Sequence, residues 1–138
     1  MIREVLGSIE VVRIPKLGIE VRAKVDTGAW SGVLHCTDIH EVDGVLHFTP
    51  LGDKKLTAQT KNFETRVVRS ASGHDEERYI IAVVLEINQK TYHTTLGLSD
   101  RSKMQREMLL GRKFLIENNI LVDVSLTLDD DHEAERYL

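Results

Sequence analysis

Cys36 is the single cysteine among 138 residues. No disulfide can close within the chain, and a zinc site built from several thiolates is excluded. Aromatic side chains make up 5% of the residues, so a core has to be assembled from Ile, Val and Leu. No apolar run approaches the ~20 residues that cross a bilayer as a helix, which argues against a membrane partner. The N-terminal stretch MIREVLGSIEVVR carries charges every few residues and lacks the apolar segment of a signal peptide. A reducing cytoplasm is therefore the expected compartment. Positive charge is not in excess either, with 18 Lys and Arg against 22 Asp and Glu for a formal charge of −4. That balance argues against a nucleic-acid partner held by a strong positive field.

The acidic excess is local. Residues 129–138, DDDHEAERYL, hold five acids and one base, which leaves the preceding 128 residues neutral. This length suits one domain with a real core. The expected organisation is a domain over 1–128 followed by an acidic tail over 129–138, which is too polar to bury itself.

Most of the chain reads as strands. Ile19, Val21, Ala23 and Val25 alternate with Glu20, Arg22, Lys24 and Asp26, the period of a strand with one buried face. Ile9–Ile14 is a rougher strand ended by Pro15, and Lys16-Leu17-Gly18 makes the turn between the two. Further strands are expected over Val45–Thr49, Phe63–Val68, Tyr79–Ile87, Lys90–Leu96 after the turn Asn88-Gln89, and Leu121–Leu128. Helical signal is thin. Ser99 or Asp100 can cap one turn over Arg101–Met104, and Arg112–Glu117 after Gly111 predicts one short helix. The fold class is mainly β with one short helix near the C-terminus.

Against that background Asp26-Thr27-Gly28 stands out. The strand before it sets Asp26 on the polar face where extended structure gives way to a turn. Gly28 permits backbone angles that a side chain resists, and Thr27 can hydrogen-bond locally. A carboxylate held this way can help activate water. Such work needs one ionised and one protonated carboxyl, which two groups in close contact achieve by sharing a proton. An Asp that merely caps a turn explains the triplet as well.

Met108-Leu109-Leu110-Gly111-Arg112 forms an apolar stretch ending in Gly-Arg, with Gly111 85 residues after Asp26. An Asp-Thr-Gly-Ala turn, a hairpin, then apolar-apolar-Gly-Arg opening a short helix resembles the layout of retropepsin-like aspartic peptidases. Ala23–Ala29 with Leu34-His35, Val68–His74 with Glu76 and Arg78-Tyr79, and Asp100-Arg101 with Met104 and Met108–Arg112 are similar to one branch of them. That branch is named for ATP-dependent zinc proteases and is associated with an ATP-grasp ligase that adds glutamates to a ribosomal protein. The sequence departs from the branch at Ser31-Gly32, Ala71-Ser72-Gly73 and Arg106.

The resemblance implies an acid-protease barrel with one Asp-Thr-Gly per chain and a catalytic pair built across a homodimer. Asp26, Thr27 and Gly28 would be catalytic. Ala29, Ser31, Arg69, Ser72, Gly73, His74, Arg78, Arg101 and Arg112 would meet substrate. Val67-Val68-Arg69 can pair with Arg78-Tyr79-Ile80 as a hairpin with Ser70–Glu77 at its tip, and the resemblance implies that this hairpin folds over the substrate as a flap. Arginine forks match carboxylates two bonds at a time, so an acidic or poly-glutamate peptide is the expected substrate and the ATP-grasp ligase a partner. No cofactor is expected. The six histidines show no HExxH pairing and no glycine-rich phosphate loop is present. His35, Cys36, Asp38 and His40 lie on one extended stretch, whose neighbours point to opposite faces. The competing expectation is a peptide-binding module on the same barrel, with Asp26 inactive.

Overall fold

The alternation over 19–25 produces a strand with the same bounds, its residues buried and exposed in strict turn. The computed structural model describes residues 3–69 and 73–126. In chain order these contain β1 (Glu4–Leu6), β2 (Ile9–Ile14), β3 (Ile19–Val25), β4 (Gly32–Val42), β5 (Val45–Pro50) and β6 (Ala58–Thr60). Then follow β7 (Glu64–Arg69), β8 (Asp75–Ile87), β9 (Lys90–Ser99), β10 (Met108–Leu110), helix α1 (Arg112–Glu117) and β11 (Ile120–Val122).

Six strands close into a barrel in the order β10, β3, β2, β8, β9, β4 and back to β10. Closure rests on β10, which runs parallel to β3 with Leu110 opposite Val25 and antiparallel to β4 with Leu109 opposite Val33. β5 and β6 extend the sheet beyond β4, and β7 pairs only with the first half of β8. β1 and β11 form a separate parallel pair.

The core is aliphatic, with Val12, Ile14, Leu34, Leu46, Leu85, Leu96 and Leu110 among its buried members. Burying each such side chain contributes roughly 1.5–3 kcal/mol. α1 adds Phe114, whose ring meets Tyr92 edge-on at 5.6 Å. The thiol of Cys36 is enclosed in this core, and burial pushes its pKa up to about 12.

The turns follow local chemistry. Gly18 closes the β2–β3 turn in the left-handed region at φ 69°. Asn88 and Gln89 both take positive φ, as a two-residue hairpin requires. Asp43-Gly44 does the same between β4 and β5.

Several expectations change. The longest departure is β4, eleven residues with no regular alternation. It is buried on both faces where it lies between β9 and β10, then exposed where it leaves the barrel, and Asp38 at φ 51° sits in its register shift. β1, β6 and β10 have three residues each, too short for a periodic signal. The strand expected over Leu121–Leu128 ends at Val122. Asp123 then turns the chain by accepting from the Ser125 N–H and hydroxyl, and residues 127–128 lie outside the described residues, as does the tail 129–138.

Candidate active site

Asp26 follows β3 directly, and the backbone fixes it from several sides. The Val25 N–H donates to the Ser8 carbonyl at 2.9 Å and the Asp26 N–H to the Leu110 carbonyl at 2.8 Å. The Gly28 N–H donates to Asp26 Oδ1 at 2.9 Å, and the Ala29 N–H to the Asp26 carbonyl at 3.3 Å. This is an Asx turn. The carboxylate is half-buried, while Thr27, Gly28, Trp30 and Ser31 are exposed.

Gly28 is not in the left-handed region, which contradicts the backbone freedom expected of it. Its value is its N–H and its lack of bulk, since a Cβ there would lie 3.2 Å from Asp26 Oδ1.

The first turn of α1 completes the frame. A helix start leaves N–H groups without helical partners. Here those of Arg112 and Lys113 donate to the carbonyls of Ala29 and Trp30 at 2.8 and 3.0 Å. Approach this close requires glycine before the helix, because a Cβ on Gly111 would stand 2.6 Å from the Trp30 oxygen and 2.9 Å from that of Ala29. Arg112 braces the same turn through its side chain, donating from Nη1 to the Thr27 carbonyl at 3.0 Å and stacking 5.8 Å over the Trp30 ring.

Of two further arginines, Arg101 lies within electrostatic reach of Asp26 and Arg78 lies within reach of Arg101. The stem of Arg78 crosses Gly97, where a Cβ would stand 2.7 Å from its Cδ. Arg101 donates its Nε to the Arg106 carbonyl at 2.8 Å. Its guanidinium is pushed below its usual range by burial first and the Arg78 charge second, with Asp26 acting in the opposite direction. Asp26, Arg78 and Arg101 therefore share one electrostatic neighbourhood.

The expected flap is a hairpin, with a different register. Val67, Val68 and Arg69 pair with Glu77, Glu76 and Asp75 rather than with 78–80, so 75–77 belong to the strand and not to the tip. Gly73 takes φ 85°, His74 beside it is exposed, and Ser72 lies outside the described residues. The arginines of the hairpin face its own acids: Arg66 to Glu64 at 2.9 Å, Arg69 to Asp75 at 3.5 Å and Arg78 to Glu76 at 2.7 Å.

Sequence reasoning gave His35 no role in the site. It is buried on β4 and its Nδ1 accepts the Arg101 N–H at 2.8 Å. A contact across 66 residues has no local signature. Among the described residues no three His, Cys, Asp or Glu side chains converge as a metal site would need. A cavity of about 500 Å³ lies at the other end of β3, lined by Ile14, Leu17, Phe48, Ile81 and Val83.

A family model described as RimB-like, retropepsin-like aspartic endopeptidase RimB, matches residues 5–132. A probable alpha-L-glutamate ligase of Desulfotalea psychrophila is 31% identical over 90% of this chain and 29% of its own length. One of Shewanella halifaxensis is 32% identical over 96% of this chain and 32% of its own. The chain thus spans less than a third of the length of these curated relatives. A crystal structure of a Legionella pneumophila protein of unknown function (DUF785) superposes with a TM-score of 0.69 at 26% identity, covering 91% of this chain and 97% of that one. No helix among the described residues is long and apolar enough to cross a membrane.

Proposed function

We propose that this chain, which belongs to the RimB-like family of retropepsin-like aspartic endopeptidases, hydrolyses peptide bonds through a pair of Asp26 carboxylates, one from each protomer of a two-fold dimer. The observation that carries the reading is the Asp26 turn. A half-buried carboxylate accepts the Gly28 N–H while the main-chain N–H of the same residue donates to the Leu110 carbonyl, so side chain and backbone are both oriented.

One such group cannot be both acid and base, and a two-fold axis supplies its complement. Two carboxyls in contact share a proton. The ionised one takes a proton from a water held between them as that water attacks the carbonyl carbon, and the protonated one donates to the carbonyl oxygen. No covalent intermediate is required. Thr27 and Gly28 position the pair, Ser31 borders it, and the β7–β8 hairpin covers the substrate.

The dimer is supported by the terminal strands. Val5 and Leu121 are 45% and 48% exposed on β1 and β11, and Val124 beyond them is 75% exposed. Ser8 ties this apolar edge to the Asp26 turn, donating to the Leu126 carbonyl and accepting from Val25.

The substrate class is an acidic peptide, with an α-linked glutamate chain as the favoured member and a glutamate ligase as partner. Arg78 and Arg101 beside Asp26 supply the cationic lining, and the glutamate ligases that contain a stretch similar to this chain make the same chemistry relevant here. The protein is assigned to the cytoplasm, and Ala29, Arg69, Ser72, Gly73, His74 and Arg112 complete the proposed substrate surface. Exposed Trp30 beside the turn favours a second reading, a module that binds peptides without cutting them.

Asp26→Asn separates the two readings. Cleavage of a glutamate-rich peptide should fall by at least ~10³-fold, with the dimer and the melting temperature preserved. Undiminished cleavage in the variant, or a wild-type protein that binds the peptide as a monomer and leaves it whole, sinks the dyad mechanism.

A further inference from the structure

His35 is the only buried histidine among the described residues, and the hydrolytic mechanism makes no use of it. Its bonds run in three directions. Its own N–H donates to the Glu107 carbonyl at 2.7 Å, and its carbonyl accepts from the Leu51 N–H at 2.9 Å. Its ring Nδ1 accepts from the Arg101 N–H at 2.8 Å. The segment from Asp100 to Glu107 is therefore attached to β4 by one residue near each of its ends. Between those points Arg101 donates from Nε to the Arg106 carbonyl, so the loop closes on itself around the arginine stem.

The bond at Nδ1 sets the chemical state of the ring. A nitrogen that accepts an N–H carries no proton, so the ring proton sits on Nε2. Asp100 Oδ1 stands 3.9 Å from Nδ1, beyond direct hydrogen-bond reach. The carboxylate is occupied instead by the N–H and hydroxyl of Ser102.

We infer that His35 is a positioning residue for substrate recognition, its neutral ring seating the backbone of Arg101 so that this guanidinium, with Arg78, receives an acidic side chain of the peptide next to Asp26. This rests on the acidic-substrate reading above. A free arginine side chain samples many rotamers, and holding it in one costs entropy. Fixing its main chain and its Nε directs the remaining fork, which matches a carboxylate bidentately.

The test measures binding, so that it does not depend on cleavage. In the Asp26→Asn protein, dissociation constants are compared for hexaglutamate and hexaglutamine. His35→Asn places an amide oxygen close to where Nδ1 stands, while His35→Gln carries it further out and His35→Ala removes it. Hexaglutamate binding should weaken about tenfold in His35→Ala and His35→Gln, remain within about twofold in His35→Asn, and fall no further when His35→Ala is added to Arg101→Gln. Hexaglutamine binding should not change. The Arg101 amide, followed by hydrogen exchange, should be protected in the parent and His35→Asn proteins and open in His35→Gln.

Equal hexaglutamate binding by the Asn and Gln variants, or an Arg101 amide that exchanges alike in both, overturns the inference. If His35→Ala does not fold, the Asn and Gln pair decides. A parent that does not prefer hexaglutamate to hexaglutamine overturns the acidic-substrate reading and the recognition role together. The exchange contrast then reports separately whether His35 holds Arg101 in place.

Discussion

The Asp26 turn and the β7–β8 hairpin border the same proposed cleft and are built in opposite ways. The turn is held by main chain from β10, Ser8 and the start of α1, with no space left at Gly111. In the hairpin β7 pairs with β8 alone among the described residues, exposes most of its residues and leaves Val67 71% exposed. Only its base is packed, where Phe63 meets Tyr79 edge-on at 5.7 Å. Backbone bonds in a partly buried frame hold geometry to a fraction of an ångström, whereas exposed ion pairs and one ladder permit movement. A reacting carboxylate needs the first kind of support, and a cover that must admit a peptide needs the second.

The largest expected effect tests the rigid side. Gly111→Ala drives a Cβ into the Trp30 and Ala29 carbonyls, neither of which can move without releasing an α1 N–H. A loss of ~3 kcal/mol in urea unfolding is expected, together with loss of peptide cleavage. A fully stable, active Gly111→Ala protein would show that the turn is looser than its bonds suggest and would remove the contrast with the hairpin.

The same contrast explains what could be read from the sequence. β3 was legible because one face is buried and the other exposed, and α1 because Gly111 and the Asn118-Asn119 pair bracket it. β4 was not, since a strand buried on both faces and then released from the barrel has no single period. The Asp-Thr-Gly triplet and the Gly-Arg pair pointed to the site, but only the fold places β10 between β3 and β4 and so brings residues 26 and 110 into contact. The hairpin register was misjudged because its two strands expose both faces, and a slip there buries nothing. His35 lay hidden because its bond to Arg101 follows from the pairing of β4 with β9, which sets His35 opposite Ser99 across a long stretch of chain.

A smaller effect is expected on the exposed side. Arg66→Ala and Arg69→Ala each remove one exposed ion pair, to Glu64 and Asp75. Each should change stability by less than ~0.5 kcal/mol. On the acidic-substrate reading, Arg69→Ala should also raise KM for a glutamate-rich peptide a few-fold, leaving kcat alone, and the rise should shrink at high salt. A stability loss approaching that of Gly111→Ala would place the hairpin with the rigid frame instead.

The smallest effect concerns a second Asx turn, in the loop that carries Arg101. Asp26 accepts one N–H, from Gly28. Asp100 accepts both the hydroxyl and the N–H of Ser102, and those two bonds, the hydroxyl first, hold its carboxyl below the usual carboxylate range. Because the folded pKa is depressed, the stabilisation from Asp100 is present above the unfolded value and is lost as the pH falls through the folded one. Ser102→Ala should therefore raise the Asp100 pKa toward that of an ordinary aspartate, followed by carboxyl NMR titration. The variant should also be less stable than the parent at neutral pH, and the gap should close on acidification as the parent's Asp100 takes up its proton. An unchanged titration would mean that the hydroxyl does not govern this carboxylate.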